Sequence, residues 1–158
     1  VIPLGGSHGF VFSAFTLLLL AGCGSSAGDM SKERLAQMAG GQLKEVVPVS
    51  GKVVIDGEPR AEVILQLFPA DGGKQITETR TGGDGAYCWS THLTCDGIEA
   101  GTYKVAFEHF PKPKRNDQNE KKDDLFKGKY SNPKKSEFTL TVEKGKPQKD
   151  VNYELKMK

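Results

Sequence analysis

Between residues 61 and 69 the chain reads Ala61-Glu62-Val63-Ile64-Leu65-Gln66-Leu67-Phe68-Pro69, with Val63, Leu65 and Leu67 two residues apart. A period of two places these three side chains on one face of an extended strand, because successive Cβ atoms of a strand point to opposite sides. The same beat recurs at Val53 and Ile55, at Tyr103, Val105 and Phe107, at Phe138, Leu140 and Val142, and at Val151, Tyr153 and Leu155. Val, Tyr, Phe and Thr, which suit a pleated and half-buried surface, fill these runs. Four Asp-Gly pairs, Asp56-Gly57, Asp71-Gly72, Asp84-Gly85 and Asp96-Gly97, stand between them. Such pairs supply the positive φ angles of tight turns. Strands are therefore expected near residues 49–55, 61–69, 74–81, 86–91, 102–109, 137–143 and 149–156. Short strands divided by turn signals predict an all-β sandwich, and no long amphipathic helix alternates with them as a parallel α/β sheet would require.

Composition sets the outer bounds. The 158 residues are 37% hydrophobic and 27% charged, an ordinary globular balance, and 22 basic against 20 acidic residues leave a net charge of only +2. That near-neutrality argues against nucleic acid as a partner. From Phe10 to Leu20 runs an apolar, uncharged stretch, FVFSAFTLLLL, followed by the small residues Ala21 and Gly22. It is shorter than the roughly 20 residues that cross a bilayer and suits the apolar region of a secretory signal. Residues 1–9 carry no Lys or Arg, a departure from the usual basic start of such signals.

The tetrapeptide Leu20-Ala21-Gly22-Cys23 resembles the lipobox of bacterial lipoproteins. That resemblance implies that Cys23 is acylated and becomes the mature N-terminus, so that residues 1–22 are a signal peptide and lipid on Cys23 is the membrane anchor. Gly24 in place of an aspartate makes the outer membrane the expected site in a two-membrane cell. Residues 23–47 read as a tether, with Gly24 to Gly28 flexible and a short helix over 31–39, capped by Ser31 and stopped by Gly40-Gly41. Residues 48–158 are then the sandwich domain.

Within that domain the series Gly51-Lys-Val-Val-Ile-Asp-Gly57-Glu-Pro59, then Ala61 to Pro69, then Thr81-Gly-Gly-Asp84-Gly85-Ala-Tyr87, then Gly101-Thr-Tyr103-Lys-Val105 resembles the carboxypeptidase regulatory-like, or transthyretin-like, family. The likeness is close over residues 49–110. It implies a seven-stranded, Ig-like or prealbumin-like sandwich used as an accessory or adhesive module. Gly57, Pro59, Gly85 and Gly101 serve as scaffold in such a module, shaping turns and bends. One architecture hosts many functions, so the family likeness does not fix an activity.

The densest chemistry lies in Cys88-Trp-Ser-Thr-His92-Leu-Thr-Cys95. Two thiols and an imidazole could ligate zinc or copper, with His109 as a further ligand. Outside the cytoplasm a cysteine pair more often oxidises, and with Cys23 acylated Cys88 and Cys95 pair without remainder. A disulfide is therefore expected, with no metal and no cofactor. Trp89 faces opposite to Cys88 and Ser90, which suits the core; exposed, it could stack on a sugar ring, so Trp89 and His92 are carried as candidate ligand-binding residues. Ser90 and His92 share a strand face, but no acid completes a hydrolytic triad. No nucleophile elbow, zinc-helix motif or phosphate-binding loop is present. Residues 111–129, PKPKRNDQNEKKDDLFKGK, read as a solvated mixed-charge loop or, alternatively, a displayed binding loop. The expectation is a non-catalytic envelope lipoprotein whose sandwich binds protein or polysaccharide, with a metal-binding protein using Cys88, His92 and Cys95 as the alternative.

Overall fold

The computed structural model describes residues 32–38, 40–110 and 123–157. Cys23, the expected signal segment over residues 1–22, the expected cap Ser31 and residues 111–122 of the expected charged loop lie outside them. The described residues form α1 (Lys32–Met38), β1 (Ser50–Ile55), β2 (Glu58–Pro59), β3 (Val63–Pro69), β4 (Thr77–Arg80), β5 (Ala86–Cys88), β6 (Gly101–His109), β7 (Thr139–Val142) and β8 (Tyr153–Leu155). A 3-10 turn, Pro133–Lys135, precedes β7.

Two four-stranded sheets result. In the first, β1 pairs antiparallel with β2 and β5 and parallel with β8; the second has the antiparallel order β4-β3-β6-β7. Alternation decides which side chains meet between them. Val53, Ile55, Tyr87, Tyr153 and Leu155 come from the first sheet, and Val63, Leu65, Leu67, Tyr103, Val105, Phe107, Leu140 and Val142 from the second. Burying one such aliphatic side chain stabilises the fold by about 1.5–3 kcal/mol. Phe107 is the hub of an aromatic group, with Phe138 and Tyr153 each 5.1 Å away in edge-on geometry. Among the described residues Thr81 is the buried polar residue, and its hydroxyl is satisfied twice, accepting from the Val63 amide and donating to the Arg60 carbonyl.

Eight strands are present among the described residues where seven are expected. The extra one, β2, is a two-residue return of the hairpin whose turn is Asp56 (φ 51°) and Gly57 (φ 87°). Positive φ at both turn residues matches the twist of the flanking strands. Glu58 and Pro59 are both exposed, so no alternation could announce the strand. Other strands are shorter than expected. β4 begins only at Thr77, β5 stops at Cys88, and β8 begins only at Tyr153, shortly after Asp150 takes φ 61° and bends the chain.

Between the sheets, β4 and β5 meet through side chains. Thr77 Oγ1 donates to the Ser90 carbonyl (3.3 Å) and Thr79 Oγ1 to the Cys88 carbonyl (2.8 Å), so hydroxyls replace a backbone ladder along that seam.

Candidate functional site

Beyond β5 the chain stays beside β1 for one more residue, the Trp89 amide donating to the Val49 carbonyl at 3.0 Å, and then turns into a loop. Cys88 and Cys95 close this loop as a disulfide, with Cα atoms 5.2 Å apart. Asp96 ties it from inside: one carboxylate oxygen accepts from the Thr91 amide (2.7 Å), the other from the His92 and Leu93 amides (2.9 Å each). Burial alone would raise this carboxyl, but the amide donors of Thr91, Leu93 and His92 outweigh it and hold the group below the usual carboxylate range. The loop returns through Gly97, where only glycine fits. Its φ is +110°, and a Cβ there would stand 2.0 Å from the Val47 carbonyl oxygen.

The same end of the sandwich receives the chain from residues 44–47. Val47 bridges Ile98, Lys44 pairs with Glu99 at 2.6 Å, and His92 Nε2 lies 3.3 Å from the Lys44 carbonyl. His92 is thus engaged with the entering segment.

Several expectations are corrected here. Trp89 is 0% exposed and packs edge-on to Tyr87 at 5.9 Å, so its ring is unavailable to stack on a sugar. The period-two alternation that carries Tyr87 inward carries Trp89 inward as well. The metal alternative loses its thiolates to the disulfide, and His109 stands at the far end of β6 from Gly101, about 26 Å along the strand at ~3.3 Å per residue. Among the described residues no group of three or more His, Cys, Asp or Glu side chains is placed to hold a metal. Ser90 Oγ accepts from the Cys95 amide (2.9 Å) inside the disulfide loop. His109 sits against Phe126, with ring centroids 5.8 Å apart. Burial first, and the Arg60 guanidinium second, push its imidazole below the ordinary value.

The last part of the expected mobile loop is fixed to the sheet. Asp124 accepts from the amides of His109 (2.9 Å), Phe126 (3.1 Å) and Gly128 (2.9 Å), and Phe126 is buried beneath the turn. The mixed-charge composition of 111–129 hid this anchor.

Sequence reading also missed a cleft of about 290 Å³ on the outer face of the second sheet. Phe68, directly across from Lys104 in the β3–β6 register, forms its base; Pro69 and Asp71 of the β3–β4 turn and Pro133 and Lys134 of the 3-10 turn form its walls. Lys104 is held in place, its Nζ donating to the Ser136 carbonyl (3.1 Å) and to Thr139 Oγ1 (2.9 Å). The two walls lie some 60 positions apart in the chain, so no local motif points to them.

No protein-family model matches the chain, and no curated protein matches it. Among solved structures, a DUF3823 family protein from Parabacteroides merdae is similar at 17% identity over 71% of this chain and 46% of its own, with a TM-score of 0.39. A DUF3823 family protein from Bacteroides ovatus is similar at 16% identity over 68% of this chain and 41% of its own, with a TM-score of 0.33. The dioxygenase domain of a dioxygenase and carbohydrate-binding protein fusion from Streptomyces sp. SirexAA-E is similar at 16% identity over 72% of this chain and 80% of its own, with a TM-score of 0.32. The chain spans less than half the length of the two DUF3823 proteins.

Proposed function

We propose that this chain is a lipid-anchored protein of the bacterial cell envelope, whose prealbumin-like, carboxypeptidase regulatory-like sandwich is a non-catalytic module binding a protein or polysaccharide. The observation that carries the reading is the Cys88–Cys95 disulfide. Structural disulfides persist in oxidising compartments outside the cytoplasm, and the third cysteine of the sequence, Cys23, stands behind an apolar run and inside a lipobox-like tetrapeptide. Two acyl chains on Cys23 would suffice for stable anchoring, each buried methylene adding about 0.8 kcal/mol. Residues 44–47 join the sandwich at its Val47–Ile98 end, opposite the Asp56-Gly57 turn and His109.

Intact mass of the protein extracted from its native membrane, before and after reduction and alkylation, tests this reading. The expected species begins at acylated Cys23 and gains two alkyl groups only after reduction. A chain that retains residues 1–22 without lipid sinks the anchor, and free Cys88 and Cys95 thiols before reduction sink the exported assignment.

A further inference from the structure

We infer that the cleft between the β3–β4 turn and the 3-10 turn at Pro133–Lys135 binds a uronic acid residue of an acidic polysaccharide, with Phe68 under the ring and Lys104 and Lys134 on the carboxylate. This rests on the polysaccharide arm of the function proposed above and gives it a site and a ligand chemistry.

The base of the cleft is an aromatic ring left partly exposed on the outer sheet face, beside Pro69 and facing Pro133. Aromatic and proline surfaces of this kind suit the C–H face of a pyranose, which is apolar while its hydroxyls point outward. Lys104 supplies the charge. An ammonium has three donors, and the two acceptors it meets, a carbonyl and a hydroxyl, are neutral. These two hydrogen bonds leave one ammonium donor for a ligand. Lys134, exposed on the opposite wall, forms no ion pair among the described residues. Asp71 on the rim sets the limit on the ligand: it accepts from sugar hydroxyls but repels a dense dianion, so a single carboxylate per ring suits the cleft better than a phosphate.

Shape agrees with chemistry. The volume of about 290 Å³ lies at the lower edge of small-molecule sites, matching one sugar ring with its neighbours extending into solvent. The cleft is also preorganised. Gly72 (φ 95°) and Gly73 (φ 135°) set the turn wall, and its hydrogen bonds to Ser136 and Thr139 spare Lys104 most of the rotamer entropy a free lysine loses on binding.

Titration calorimetry on the purified full chain, with trigalacturonate, neutral galactotriose and inorganic phosphate as probes, tests the inference. Trigalacturonate is expected to bind at least tenfold more tightly than galactotriose and not to be displaced by millimolar phosphate. Lys104→Met should weaken it about tenfold, and Lys134→Gln severalfold; Lys134 is exposed, so that variant folds regardless of its role. Equal binding of both sugars overturns the acid specificity while leaving polysaccharide recognition standing. Phosphate binding as tight as trigalacturonate makes this a simple anion site, and no sugar binding, or binding unmoved by either lysine variant, overturns the site outright. None of these outcomes touches the mass measurement that tests the anchor.

Discussion

Cutting the Cys88–Cys95 bridge, by Cys88→Ser with Cys95→Ser, isolates what holds the loop end of the sandwich. The bridge spans a sequence separation of 7. Chain-entropy reasoning for so short a loop gives about 2.5 kcal/mol at 25 °C, near 10 °C in Tm for a domain of roughly 110 residues. The native loop should persist after the cut, because Asp96 still binds the amides of Thr91, His92 and Leu93 and Gly97 still fits against Val47. The loss is thus expected in the unfolded state, which gains freedom, and the urea dependence should steepen slightly as that state expands. Adding Asp96→Asn to both backgrounds completes a cycle. With the bridge gone the carboxylate alone orders the loop, so the second substitution should cost about 0.5–1 kcal/mol more than in the bridged protein. Urea unfolding followed by circular dichroism measures all four. A bridge worth less than about 0.5 kcal/mol, or an additive cycle, refutes the division of labour between disulfide and carboxylate.

Trp89 is the sole tryptophan, so its emission should be blue and shielded from iodide; red, quenchable emission contradicts its burial. Trp89→Ala should cost about 3 kcal/mol, the low end for such truncations, because the buried indole N–H has no acceptor among the described residues. Gly97→Ala should destabilise by more than about 3 kcal/mol, whereas Gly57→Ala, where a Cβ meets nothing within 4 Å, should cost only about 1 kcal/mol for its φ. Thermal melts that rank the two the other way contradict the close approach to Val47. Burial pushes the Tyr153 hydroxyl up to about 12, partly offset by Tyr87. Its folded value is above the ordinary value of about 10, so its contribution is complete below pH 10 and is lost as pH rises toward 12. A urea midpoint flat across that window refutes this.

Much of the core was legible because it obeys a period of two. Val63, Leu65 and Leu67 on β3 and Val105 and Phe107 on β6 are all 0% exposed, as their spacing requires. What escaped has no period. Glu58–Pro59 is too short to alternate, and the 74–81 segment opens on Lys74, Gln75 and an Ile76 that remains 51% exposed, so hydrophobicity alone misled. The cysteine count foresaw the disulfide. It could not foresee that Asp96, written as half of a turn signal, spends its carboxylate on ordering the disulfide loop. Asp124 was likewise hidden in a charged run, and the Phe68 cleft is visible only once β3 and the 3-10 turn meet.

Parallel pairing of β1 with β8 has a mechanical consequence. Val53, Val54 and Ile55 lie alongside Tyr153, Glu154 and Leu155 in register, and both strands run the same way. A pull between the segment entering ahead of β1 and the segment leaving after β8 therefore slides the two strands past each other and loads their hydrogen bonds together. Peeling would break them one at a time and at much lower force. Under tension applied across these two segments, the first sheet would act as a shear clamp, yielding late and all at once.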